Sequence, residues 1–264
     1  MTYPHRPGGS AVARSVTHVQ TGQWTARRSA ITAKQPVPAR RFEAMSLMPN
    51  GDLAEINQRA PAHPVFESAF CALARGTILA TEEGPVAIED MIPGIKVETR
   101  DAGFQPLVWI GTMTLASQMP LAHMPARLFR IPVDSFGPSR PMPDLMLAPH
   151  ARLLHRSPKL RDVVKDDSAL TPVTAFEDGN TVIRVAPASA VSVYHLAFRE
   201  HHILRANGLE IESFHPGEDL LNRVGGDSLR LFQSFFPHLQ SISDFGRMVA
   251  PRLSVEEYEA VTAA

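Results

Sequence analysis

Glycines at 76, 84, 94, 103 and 111 cut one stretch of this chain at intervals of eight to ten residues. Between them stand Ile78-Leu79-Ala80-Thr81, Val86-Ala87-Ile88, Lys96-Val97-Glu98-Thr99 and Leu107-Val108-Trp109-Ile110. Each run is rich in β-branched or aromatic residues and too short for a helix. Such spacing allows little but short strands joined by tight turns, so the chain is expected to be all-β here. Only Glu89-Asp90-Met91 suggests a helical turn.

The same texture continues to about residue 217. Leu128–Ile131, Leu145–Leu147, Arg152–Leu154, Thr181–Val185, Val191–Leu196 and His202–Arg205 are further strand candidates. Asn207-Gly208 predicts a two-residue hairpin folding 202–206 onto 209–213, because both residue types tolerate positive φ. No repeat of 20–50 residues underlies the pattern. Beyond Pro216 the apolar spacing becomes helical, at 219–223 and 229–236. Ser254 with Glu257 forms a capping box opening a last helix to Val261.

The flanks differ in composition. Residues 1–45 carry seven basic residues before the first acid, Glu43, and no hydrophobic period. Such a segment buries too little apolar surface to offset its chain entropy, which predicts a disordered basic arm. Residues 46–71 are expected to be a strap over the next domain, with a short strand near Met45–Met48. The domain plan is then arm 1–45, strap 46–71, β domain 72–217 and helical extension 218–264.

A net charge of −1 gives no global electrostatic case for nucleic acid. No apolar run approaches the roughly 18–20 residues of a membrane span. No secretory signal is visible, so the expected location is the cytoplasm, or outside the cell by signal-less export. The single cysteine, Cys71, excludes an intrachain disulfide and a CxxC metal site. No cofactor is expected.

The run from Phe70, FCALARGTILATEEGPVAIEDMIPGIKVETRDAGFQPLVWIG, resembles the opening of the Hint domain shared by inteins and Hedgehog C-terminal regions, in its bacterial branch. Gly76-Thr77, Gly84, Glu89-Asp90, Gly94, Gly103 and Trp109-Ile110-Gly111 match that opening in order. Asp144-Leu145 through Ala148-Pro149 and Arg152 match the middle block. Tyr194-His195-Leu196, His201, Asn207-Gly208 and Glu212-Ser213-Phe214 match the close. The resemblance implies a pseudo-symmetric all-β fold between a disordered arm and short C-terminal helices. It also implies autoprocessing, with the chain's own peptide bond as substrate. A thiol attacks the preceding carbonyl, a histidine protonates the leaving nitrogen and polar donors hold the oxyanion.

Carried onto this chain, Cys71 is the nucleophile, Phe70–Cys71 the scissile bond and His150 or His201 the assisting group. Thr77 is either an oxyanion donor or a strand former. Two positions depart from the bacterial pattern: Ala72 stands where the cysteine is usual, and Ala151 where the middle-block histidine is usual. On a strand, a one-residue displacement sends a side chain to the opposite face. Two such slips point to a degenerate cleavage site, and Glu212-Ser213 in place of a closing His-Asn pair excludes asparagine cyclisation. The alternatives are an active autoprotease, a non-catalytic interaction module, or a His/Glu metal site built from His195, His201, His202 and His215 with Glu200, Glu210 and Glu212.

Overall fold

The computed structural model describes residues 38–118, 121 and 126–263. In chain order the strands and helices are β1 (Ala39–Leu47), β2 (Leu53–Pro61), α1 (Pro64–Ser68), β3 (Leu73–Ala74), β4 (Ile78–Thr81), β5 (Gly84–Ala87), β6 (Lys96–Thr99), β7 (Gly103–Pro106) and β8 (Trp109–Leu115). They continue with β9 (Leu128–Ile131), β10 (Leu145–Leu147), β11 (Arg152–Arg156), α2 (Leu160–Val164), β12 (Ser168–Pro172), β13 (Ile183–Val185) and β14 (Val191–Ala197). The close is β15 (Ile203–Ala206), β16 (Leu209–Glu212), α3 (Leu220–Arg223), α4 (Gly226–Gln233) and α5 (Val255–Ala263).

The strands form two sheets with antiparallel pairing, as the glycine spacing predicts. One runs β13-β9-β10-β3-β14-β8-β1-β2; the other runs β12-β11-β16-β15-β4-β6-β7, with β5 paired to β4. The predicted turn at Asn207-Gly208 joins β15 to β16, with φ of 46° and 85°. Asn207 also ties the sheets' loops together. Its Oδ1 accepts from the Ile78 amide at 2.7 Å, and its Nδ2 donates to the carbonyls of Pro143 and Asp144. Residues 88–90 form the predicted turn, a single 3₁₀ turn.

The largest difference from the sequence reading lies at the N-terminal side. Residues 39–45, assigned to the arm, form most of β1. The strap is not a loop but the second half of a hairpin of two nine-residue strands, β1–β2, followed by α1. The rest of the expected arm, 1–37, lies outside the described residues. On β1, Phe42, Ala44 and Ser46 point inward and are buried, while Arg41 and Glu43 point outward. β1 extends the first sheet by pairing with β8, Ala44 opposite Gly111.

Two large hydrophobic cores and two small clusters form among the described residues. One large core collects Leu79, Val97, Ile110, Ile131, Leu153, Leu204 and Ile211 from both sheets. The other packs β1, β2, α1 and β8 against the C-terminal helices, and it is aromatic. Phe70 sits at its centre, with ring centroids 4.8 Å from Phe42, 5.3 Å from Trp109 and 5.2 Å from Phe235. The Trp109 indole N–H donates to the Phe235 carbonyl at 2.7 Å, so the one polar atom of the ring is satisfied. Gly111 is required here, because a Cβ would collide with the Trp109 ring and with Phe70. The C-terminal capping box forms: the Ser254 hydroxyl accepts from the Glu257 amide, and the Glu257 carboxylate from the Ser254 amide.

Candidate functional site

Cys71 lies between α1 and β3, fully buried. Its side chain belongs to the aromatic core with Phe42, Phe70 and Ala148, while that of Ala72 belongs to the core between the sheets. Adjacent residues thus face opposite sides, as extended backbone dictates. The main chain is pinned here. The Ala72 amide donates to Tyr194 O at 3.0 Å, Ala72 O accepts from Ala148 N at 2.8 Å, and Cys71 O accepts from His150 N at 3.1 Å. Burial pushes the thiol well above its ordinary range, and the Glu67 charge adds to this. Arg40 and the His150 amide oppose the shift without overcoming it.

Thr77 is buried at the end of the turn after β3. Its hydroxyl donates to the Ala74 carbonyl at 2.7 Å, a bond that closes the turn. His201 and His202, just before β15, face different partners. His201 Nδ1 accepts from the Val249 amide at 3.0 Å, which places its proton on Nε2, 3.2 Å from Glu212 Oε1. His202 Nδ1 lies 2.6 Å from Asp101 Oδ2, and the other oxygen of Asp101 takes the Ile203 amide.

Glu212, at the end of β16, is the hub of this region. Arg252 Nε donates to its Oε1 at 2.8 Å, and Arg152 Nε lies 3.7 Å from its Oε2. Burial would raise the carboxyl's pKa, but Arg252, His201 and Arg152 together outweigh it and hold the group at about 2. Glu212 therefore stays ionised, and its two guanidiniums are fixed in turn. Arg252 Nη2 donates to His215 O, while Arg152 Nη1 donates to Leu170 O and Leu253 O.

A cavity of about 240 Å³ opens beside this hub, lined by His150, Arg152, His195, Glu212, Arg223 and Arg252 among others. Of the sequence-predicted site residues it includes His150, but not Cys71, His201 or Thr77. His150 and His195 each bury an Nε2 that forms no hydrogen bond among the described residues. The His195 Nδ1 lies 2.8 Å from the Ser68 carbonyl, which can only accept, so Nδ1 carries the proton. Burial, with its neighbours' positive charges, brings His150 to about 4. Burial likewise brings His195 to about 4, although the Ser68 carbonyl and Glu212 favour its protonated form.

Sequence reasoning weighed His195 only as a metal ligand and passed over the three arginines. His195 was findable, since Tyr194-His195-Leu196 breaks an otherwise apolar strand with one imidazole. The arginines carry no common motif. No group of three or more His, Cys, Asp or Glu side chains able to hold a metal occurs among the described residues.

The model of the Hint domain family matches residues 71–218, more than half of the chain. The chain belongs to the Hint domain family, the group that includes intein-like autoprocessing modules. Two solved structures are similar in outline. One is a splice-inactive variant of the AceL NrdHF class 3 split intein, 10% identical, with a TM-score of 0.37 over 54% of this chain and 97% of that one. The other is a bacterial intein-like domain from Clostridium thermocellum, 13% identical, with a TM-score of 0.38 over 55% of this chain and 99% of that one. No curated protein matches the chain. No helix among the described residues is long and apolar enough to cross a membrane.

Proposed function

We propose that this Hint domain has a degenerate self-cleavage site and serves as a folded, non-cleaving scaffold. The observation that carries the reading is the setting of Cys71: fully buried among aromatic rings, with its thiol held neutral. The nucleophile in an N-to-S acyl shift is the thiolate, and this site suppresses it. The two displaced positions support the same conclusion. Ala72 and Ala151, at the usual cysteine and histidine positions, both face the core between the sheets, while Cys71 faces the other core.

The residue before the bond argues similarly. Phe70 is locked among Phe42, Trp109 and Phe235, so attack on its carbonyl would require rearrangement within a packed core. In this reading the chain's own peptide bond is not a working substrate.

The test is intact mass of the purified full-length protein after incubation with dithiothreitol or hydroxylamine. The expected result is one species at the full-length mass. A split after Phe70 that disappears in Cys71→Ala would overturn the reading and restore an active autoprotease.

A further inference from the structure

The cavity beside Glu212 has a polarity that a non-cleaving scaffold does not require. Three guanidiniums line it, from Arg152, Arg223 and Arg252, against one lining carboxylate, Glu212. Asp219, more than half exposed, lies 3.6 Å from Arg223 and screens it from outside. The charges act on their neighbours: after burial, Glu212 favours the charged form of Arg152 while Arg252 and Arg223 oppose it, and Arg152 and Arg223 disfavour a proton on His150. Cations in a partly enclosed, low-dielectric space favour a counter-anion. Guanidinium forks suit the paired oxygens of an oxyanion.

A second feature narrows the ligand. His195 is buried, lines the cavity and spends its only proton on the Ser68 carbonyl. Its Nε2 makes no hydrogen bond of ordinary geometry among the described residues, although the Glu212 main chain also favours the ring's protonated form, and in this tautomer it can only accept. The ligand must therefore offer a donor as well as negative oxygens. The space, several times the ~30 Å³ a water occupies in the liquid, admits a small tetrahedral anion with its remaining hydration.

We infer that this cavity is a binding site for a small oxyanion that keeps a proton at neutral pH, with inorganic hydrogenphosphate as the fitting probe. The three arginines supply donors to its oxygens, and the lone pair of His195 Nε2 takes its P–OH. Sulfate, similar in size and charge but without a proton, would leave that lone pair facing an anionic oxygen. Selectivity for phosphate over sulfate thus follows from the tautomer of one histidine.

Isothermal titration calorimetry on the full-length protein tests this, comparing inorganic phosphate and sulfate at constant ionic strength. Phosphate is expected to bind, and sulfate to bind at least roughly tenfold more weakly, a difference of about 1.4 kcal/mol. Arg223→Gln, at a partly exposed position on α3, should weaken both anions without unfolding the protein. His195→Phe keeps a ring of similar size but removes the acceptor, and should bring the two affinities together. Circular dichroism and urea unfolding of each variant separate lost binding from lost fold. Absence of phosphate binding to the wild type would overturn the inference. So would equal affinity for sulfate, or a folded Arg223→Gln that binds as the wild type does.

Discussion

Cys71 and His150 meet through their main chains: the His150 amide donates to the Cys71 carbonyl across 3.1 Å. The bond joins the segment after α1 to the segment after β10 and sends the two side chains to different places. The thiol enters the aromatic core, and the imidazole lines the cavity beside Glu212. A cysteine and a histidine that the sequence suggests as partners are thereby neighbours in backbone without being partners in chemistry.

Glu212 holds the C-terminal segment to the β domain, since Arg252 reaches it from beyond α4 and Arg152 from β11. Removing its charge leaves two guanidiniums with no lining carboxylate to pair with. Glu212→Gln should therefore destabilise the fold by about 3–5 kcal/mol, the cost of breaking a buried pair from one side. Urea unfolding followed by tryptophan fluorescence measures it. A loss of a few tenths of a kcal/mol would show that the cluster contributes little.

Acid should destabilise the protein in two stages. His150, His195, His215 and His238 each have a folded pKa of about 4 against an ordinary 6.5, set in every case first by burial. Between those values the unfolded chain binds more protons than the folded one. Stability is therefore complete above 6.5 and falls as pH drops toward about 4. Glu212, at about 2 when folded against 4.5 ordinarily, adds a second loss below 4.5. Urea midpoints from about pH 7.5 down to about pH 5 should decline steadily, and Glu212→Gln should lower them all without removing the decline. A flat profile over this range would contradict the buried, neutral state of these histidines.

The hairpin and α1 belong to the folded body. Phe70→Ala empties the centre of a cluster built from Phe42, Trp109 and Phe235. It should cost about 3–5 kcal/mol, seen as a lowered urea midpoint. Even a chain cut at Phe70–Cys71 should keep residues 38–70 bound, because β1 pairs with β8 and Phe42 and Phe66 pack on Phe235. Co-elution of both fragments on size exclusion of a chain cut at this bond would show it; separation under native conditions would refute it.

The sheets were readable because glycines and short β-branched runs act locally. Asn207-Gly208 specifies its own turn, and Ser254 with Glu257 its own cap. The first strand of the β1–β2 hairpin was hidden by its outward face: Arg40 and Arg41 continued the basic arm, although Phe42 and Ala44 alternate inward and pair with the strand carrying Ile56 and Ala60. β12 was missed because the charged stretch before it, Lys159–Asp167, hides its start. The cavity was not readable in principle. Arg152, Arg223 and Arg252 come from three unrelated elements, and only the packing of the C-terminal segment onto β11 and β16 brings them together. The direction of the Cys71 side chain turned on a single residue of register, which the displaced motif announced but could not resolve.

The measurement that bears most directly on the central claim, a sequestered neutral thiol one residue before the family's usual cysteine position, is the alkylation rate of Cys71 by iodoacetamide in the native protein. The rate should be negligible near neutral pH and should rise with urea in step with global unfolding, because the sulfur reaches solvent only when the aromatic core opens. Rapid alkylation of the fully folded protein near neutral pH would mean an accessible, partly ionised thiol and would contradict the account.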